Sequence, residues 1–375
     1  MSDDIILFAV GDVGPNREDP DSIFQYVKST LKKGDLLFCQ LEPCLSQMGT
    51  PLPQSRLPMR GHPKGARAIK EAGFQVVSFA TNHCMDWGRE AFFETIQVLK
   101  EQGIQVIGAG KDIAEARQPA IIECQGTKVA FLAYNSILPQ GYWAEANRPG
   151  CAPLRGLTVY EQIEHDQPGT PSRVHTFPHK EDLAAMLEDI RKARAQADLV
   201  IVSVHWGIHF VPAVVADYQR IAARAAIDAG ADLIIGHHAH ILKPVEIYKD
   251  KVIIYSLANF ALEEPGAFAE NLDLCNSPSH KELQELNPDW KKAPHRAMPA
   301  DSYKTMMARI VISERRIQGI SFLPTQIDEK ANPQILQAND PRFQEIVTYL
   351  QDITRDQKID TLYEVKGNEV FIRKP

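Results

Sequence analysis

The sequence predicts an α/β protein, and three observations carry that prediction. Short apolar runs, each the length of a buried strand, recur through the first 260 residues. Between them lie amphipathic stretches with apolar residues every three or four positions, as crossover helices require. Several of the runs stop at Asp, Glu, Asn or His, which is how an open sheet presents functional groups at its carboxyl edge.

The bulk properties set limits. A chain of 375 residues, 44% of them hydrophobic, supports a sizeable core and excludes global disorder. The net charge of −7, without a long basic run, argues against a nucleic-acid partner. The six cysteines (39, 44, 84, 124, 151 and 275) form no CxxC pair and read as reduced thiols. The start, Met-Ser-Asp-Asp followed by an apolar run over 5–10, is acidic where a signal peptide is basic and too short for a membrane span. The expectation is a soluble, cytoplasmic protein with no membrane partner; composition leaves the oligomeric state open.

In chain order, residues 5–10 form a strand whose tip carries Asp12 within Gly11-Asp12-Val13-Gly14. Residues 20–32 predict a helix with Ile23, Phe24, Val27 and Leu31 on one face. A strand over 36–41 delivers Glu42, an acid that is costly to bury without a partner. The loop 43–62 holds Pro43, Pro51, Pro53 and Pro58, with Arg56 and Arg60 as candidates to hold an anionic substrate. A helix over 63–72 closes at Gly73. A strand over 74–80 runs into Asn82 and His83, an amide able to ligate a metal beside an imidazole able to act as acid or base. Asp86 either orients that imidazole or caps the helix over 89–102, with capping the expected role. Strands follow at 104–107, 120–123 and 128–134, the last two joined by a turn at Gly126.

Residues 136–179 lack periodicity and read as a lid or insertion, with His165 and His175 on the surface. A helix over 181–196 precedes a strand over 199–204 that ends in His205-Trp206-Gly207, with His209 just beyond. A helix over 218–229, closed by Gly230, leads to the apolar run 233–235, which stops at Gly236 and is followed at once by His237, His238 and His240. Imidazole is the commonest metal ligand at neutral pH, and three in four positions after a buried strand point to a metal site. A further strand returns toward the same edge at Ser256, Asn259 and Phe260. Residues 261–303 form a second insert. Strands at 306–312 and 320–323, a helix over 340–354 and a strand pair within 362–372 finish the chain. This divides it into a main unit, 1–330, and a C-terminal extension, 331–375.

Asp12, Glu42, Asn82, His83, His205, His238 and His240 all follow apolar strands and can share one edge. Their mix of carboxylate, amide and imidazole suits Mn²⁺, Fe²⁺ or Zn²⁺, and the lack of thiolate argues against a structural zinc site. A carboxylate able to bridge suggests two ions about 3.5–4 Å apart, as in hydrolases that activate water.

These segments resemble the CapA family, poly-γ-glutamate capsule-synthesis proteins of the calcineurin-like metallophosphoesterase superfamily. The resemblance rests on GDV at 11–13, QLEPCLS at 40–46, MRGHP at 59–63, AGFQVVSFATNHCMDWG at 72–88, GAG at 108–110, KVAFLAYNS at 128–136, HWG at 205–207 and DAGADLIIGHHAHILKPVEIYKDKVIIYSLANF at 228–260. It implies a metallophosphoesterase-like β-sandwich: two mixed sheets flanked by helices, in four layers, α/β/β/α. It also implies that Glu42 bridges two metals, that Asn82, His205 and His238 complete one shell, and that Asp12 and His240 serve the other. His83 resembles the general acid for the leaving group. Three positions depart from the pattern: Gly14 stands where a ligating His is expected, Gln40 replaces an Asn, and His209 replaces a Glu after HWG. The first leaves one metal site a ligand short. The anchor typical of relatives is not expected here.

The expected function is a soluble metal-dependent hydrolase. One or two divalent ions would activate water to attack an ester, phosphoester or amide of a small anionic substrate held by Arg17, Arg56 or Arg60. The alternatives are a non-hydrolytic role in making or exporting a poly-γ-glutamate-like polymer, and a metal-stabilised scaffold without catalysis.

Overall fold

The computed structural model describes residues 4–164, 166, 169–263, 277–292 and 298–375. His165 and Cys275 lie outside the described residues; the five described cysteines are free thiols.

Two large mixed sheets organise the chain. In the ten-stranded sheet, Ile5–Gly14, Leu36–Leu41, Val76–Ser78 and Gln105–Ile107 run parallel in that order. Lys304–Ser313 and Arg316–Ile327 continue the sheet antiparallel on the other side of Ile5–Gly14. In the six-stranded sheet, Thr127–Asn135, Leu199–His205, Leu233–His237 and Lys251–Ile254 are parallel neighbours. Antiparallel Ala120–Cys124 and Val245–Tyr248 border them.

The sheets pack face to face. Phe38 of one and Phe131 of the other stack with centroids 6.0 Å apart, both fully buried. Truncating a phenylalanine so placed costs about 3–5 kcal/mol. Helices Lys180–Arg194 and Asp217–Ala229 bury Met186, Ile190, Ala222 and Ala226 against the far face of the six-stranded sheet. Helices Gly65–Ala72 and Gly88–Glu101 make the crossovers between parallel strands of the ten-stranded sheet, and right-handed crossovers advancing in one direction put both on its outer face. The result is the expected α/β/β/α sandwich.

Strand Ile5–Gly14 changes partner along its length. Ile5–Ala9 pair with residues 308–312, whereas Asp12–Gly14 pair with Asn259–Leu262. The exchange needs Gly11, because a Cβ there would lie 1.8 Å from the carbonyl oxygen of Ala258. The closing glycines behave as predicted: Gly73 and Gly230 both take left-handed conformations at helix ends.

Three expectations are corrected. The helix over 20–32 is instead a 3-10 turn, Pro20–Phe24, and one α turn, Lys28–Leu31. The apolar face predicted there is buried, but by turns. Residues 136–179 are not without elements: Gly156–Glu161 and Arg173–Pro178 form an antiparallel hairpin. Its side chains are mostly exposed, so no alternation of apolar and polar residues marked it. Asp86 does not cap the following helix, whose N-cap is Trp87 with no side-chain bond. The extension after 330 adds Pro333–Ile335 and the Leu362–Lys366/Glu369–Arg373 hairpin to the ten-stranded sheet. Its helix, Pro341–Asp356, is capped by the Asp340 carboxylate accepting from the Arg342 amide.

Candidate metal centre

The carboxyl ends of both parallel strand sets meet at one edge of the sandwich. Asp12, Glu42 and Asn82 come from the ten-stranded sheet, and His205 and the 237–240 turn from the other. Ligand atoms of Asp12, Glu42 and His205 all lie within 4.8 Å of one another, and all three side chains are fully buried. Around them, His240 Nε2 is 3.7 Å and His83 Nε2 3.8 Å from Glu42 Oε1, and His205 Nε2 is 3.8 Å from Glu42 Oε2. The Asn82 side-chain oxygen is 2.7 Å from His205 Nε2. The His238 ring lies 4.9 Å from that of His205 and 5.9 Å from that of His240, centroid to centroid. Glu42 thus stands centrally among the candidate ligands.

The electrostatics show what this cluster lacks. Both Asp12 oxygens, Glu42 Oε1, His205 Nδ1 and His238 Nδ1 are buried without a hydrogen-bond partner. Burial, then the neighbouring Asp12 charge, pushes the Glu42 carboxyl well above the usual carboxylate range; one bond from the Thr81 hydroxyl, 3.1 Å, opposes this. Burial holds the His205 and His238 imidazoles well below their ordinary range, so they are neutral and free to ligate. Unpaired carboxylates beside neutral imidazoles, all out of water, are costly alone and are satisfied together by a divalent cation. The donor set therefore fits such an ion.

The backbone is bent to make this arrangement. His238 and His240 have φ of 83° and 55°, and Ala258 opposite has 64°. Non-glycine residues there are strained, and such strain concentrates at functional sites. His240 is also oriented from behind, its Nδ1 2.7 Å from the Asn259 side-chain oxygen, which leaves Nε2 toward Glu42. Phe210, itself at φ 60°, stacks on His240 with centroids 5.4 Å apart.

His83 is held differently. Its Nδ1 lies 2.5 Å from Asp86 Oδ2, and Asp86 also accepts from the Met59 amide at 2.8 Å and the Tyr142 hydroxyl at 3.0 Å. Asp86 therefore orients the imidazole, the alternative to its expected capping role. Tyr142 reaches it from the region read as a lid, and no spacing in the sequence links the two.

A cavity of about 620 Å³ opens beside the centre, walled by Asn82, His83, His238 and His240 together with Leu57, Met59, Ile208 and Leu283. Of the three candidate arginines, Arg56 lines it. Arg60 instead lies 3.7 Å over the Trp87 ring. Arg17 lines a separate cavity that also reaches Asn259, and is bound to Glu263 Oε1 at 2.9 Å and Asn332 Oδ1 at 2.8 Å. His209 also borders the first of these cavities, with its imidazole lowered to about 4, first by burial and then by His240. His175 is on the surface, 2.8 Å from Glu161. Among the described residues no helix is long and apolar enough to cross a membrane.

The chain is 29% identical over 276 residues to the PGA biosynthesis protein CapA of Bacillus subtilis, covering 70% of this chain and 65% of that one. It is 29% identical over 254 residues to the capsule biosynthesis protein CapA of Bacillus anthracis, covering 66% and 56%. The chain thus spans less than two thirds of the length of either relative. Among solved structures it is similar to the calcineurin-like phosphoesterase YfkN of Bacillus subtilis, with a TM-score of 0.41, 12% identity and 94% and 97% of the two chains covered. The family profile described as bacterial capsule synthesis protein PGA_cap matches residues 6–264, and the chain belongs to that family.

Proposed function

We propose that the chain is a metal-dependent hydrolase acting on an ester, phosphoester or amide of a small anionic substrate. The observation that carries this reading is the pairing of two features. A buried, unpaired carboxylate–imidazole cluster lies directly beside an oriented His83–Asp86 pair, and both border one open cavity. A structural metal site would need neither the oriented imidazole nor the cavity.

Asp12, Glu42, Asn82, His205, His238 and His240 would hold one or two divalent ions, Mn²⁺, Fe²⁺ or Zn²⁺. Such ions supply an activated water and a Lewis acid at neutral pH. His83 donates from Nε2 to the departing oxygen or nitrogen, while Asp86 keeps Nδ1 engaged and so fixes the ring. Arg56 pairs with the substrate's anionic group. The apolar walls at Leu57, Met59, Ile208 and Leu283 lower the local polarity and strengthen these interactions.

The test uses the full chain, stripped with chelator and reloaded with Mn²⁺ or Zn²⁺, against phosphoesters, carboxylic esters and γ-glutamyl amides. Metal-dependent turnover of one class supports the reading. A loaded protein inert toward all three would favour a non-hydrolytic role in PGA or capsule biosynthesis, the processes that the relatives' names state.

A further inference from the structure

The Asp12 side of the centre is short of donors. At position 14 no side chain can help, because a Cβ on Gly14 would lie 2.6 Å from the Leu262 side chain and 2.7 Å from Pro43. That space is filled by packing. Across the edge, His237 closes strand Leu233–His237 with its side chain turned inward and 0% exposed. Neither of its ring nitrogens has a hydrogen-bond partner. Both ring nitrogens are polar, so this is a doubly unsatisfied buried group in a strand where an apolar residue would pack at no such cost. Its Nδ1 is 3.4 Å from Asp12 Oδ1, an oxygen that is also buried and unpartnered.

We propose that His237 is a metal ligand, supplying with Asp12 and His240 the shell that Gly14 cannot complete. The separation fits: two ligand atoms each about 2.1 Å from a four-coordinate ion lie about 3.4 Å apart. An N–H···O hydrogen bond would sit at about 2.7–3.2 Å. His237 comes from the six-stranded sheet and Asp12 from the ten-stranded one, so the ion would tie the two sheets at a point where no direct bond does. The inference rests on the metal centre of the proposed hydrolase but not on hydrolysis.

Metal content tests it without a substrate. The full chain is loaded with Mn²⁺, dialysed and assayed by elemental analysis and electron paramagnetic resonance. The wild type is expected to hold two equivalents with a spin-coupled signal. His237→Ala is expected to hold one, with an isolated-ion signal and the second equivalent weakened beyond the about 10–100-fold that loss of an outer hydrogen-bond partner costs. Two equivalents at wild-type affinity in the variant would overturn the assignment. Should that variant not fold, X-ray absorption on the zinc-loaded wild type decides. Four histidine ligands give about two imidazoles per ion, whereas three give about one and a half, and the lower count overturns the proposal. Wild-type metal content as expected with no turnover on any substrate would leave His237 a ligand and remove only the hydrolase.

Discussion

Asp182 and Glu42 are both buried acids, and they are treated in opposite ways. Asp182 meets Arg155 through a fork, with Nε 2.7 Å from Oδ2 and Nη2 2.7 Å from Oδ1, and accepts the Arg155 amide at 2.9 Å. Burial pushes its carboxyl up, but those bonds outweigh burial and hold it below the usual range. Glu42 has one hydroxyl bond and a like-charged neighbour, and it is pushed the other way. The protein can satisfy a buried carboxylate with its own groups and does so at Asp182. At the sheet edge it places further acids and neutral imidazoles instead. The difference marks a site completed from outside the chain.

The sharpest way to break the contrast is to remove a central ligand. Glu42→Ala and His238→Ala are each expected to abolish stoichiometric metal in dialysed samples, and activity with it. His175→Ala, at a surface imidazole, should leave elemental analysis unchanged. Full metal in either of the first two would undo the assignment of the centre.

Next in size is His83→Asn, which removes the proton donor without removing a proposed ligand. Its kcat should fall by about 10²–10⁴-fold at unchanged metal content. The loss should shrink for nitrophenyl leaving groups, which need less protonation, and a loss independent of leaving group would take His83 out of the reaction.

The two acids also predict opposite responses to pH in the metal-free protein. Asp182 has a folded pKa below its unfolded value, so the unfolded state binds more protons in that window. Its contribution to stability is present above the unfolded pKa and is lost as pH falls through the folded one. Glu42 has a folded pKa above its unfolded value, so stability declines as pH rises from the ordinary carboxylate range upward. The buried imidazoles of His205, His209 and His238 change stability in the opposite sense over this range, so the Glu42 contribution is read as the stability of the wild type minus that of Glu42→Gln in denaturant titrations; that difference should fall between pH 5 and pH 8, and saturating metal should cancel the fall. Arg155→Ala should cost about 1–3 kcal/mol by removing the guanidinium fork and leaving Asp182 only the residue-155 amide and the neighbouring His179, with metal content untouched. A Glu42→Gln difference that stays constant between the two pH values would mean that Glu42 does not titrate in this window.

The smallest effect is expected at Arg56, where Arg56→Ala should raise KM by about two- to fivefold and spare kcat, as loss of one exposed charge contact does. A fall in kcat instead would place Arg56 against the reacting group.

Much of this was legible beforehand because strand tips are a one-dimensional signal. An apolar run that stops at Asp12, Glu42, Asn82, His205 or His238 marks the edge whatever the sheet order, and Gly73, Gly126 and Gly230 mark ends through backbone geometry alone. What was not legible depends on contacts between distant segments. Asp86 reads as a cap because the sequence shows its own helix and hides Tyr142, 56 positions away, which fixes its other oxygen. Asn259 reads as a strand end, and only pairing with Asp12 in register puts it behind His240. Arg17 and Arg60 read as substrate contacts because the sequence could not show Glu263 or Trp87 beside them. The hairpin at 156–178 was missed for lack of a buried face.

The partner exchange along Ile5–Gly14 bears on how small a working piece of this protein can be. The family match ends at residue 264, but the strand bearing Asp12 leans along its first half on Lys304–Ser313, beyond that limit. A fragment cut at 264 would keep every candidate ligand and still leave Ile5–Ala9 with an open, apolar edge, which invites pairing between molecules. Evolutionary kinship and autonomous folding therefore draw different borders on this chain, and the shortest soluble fragment should extend at least through Ser313.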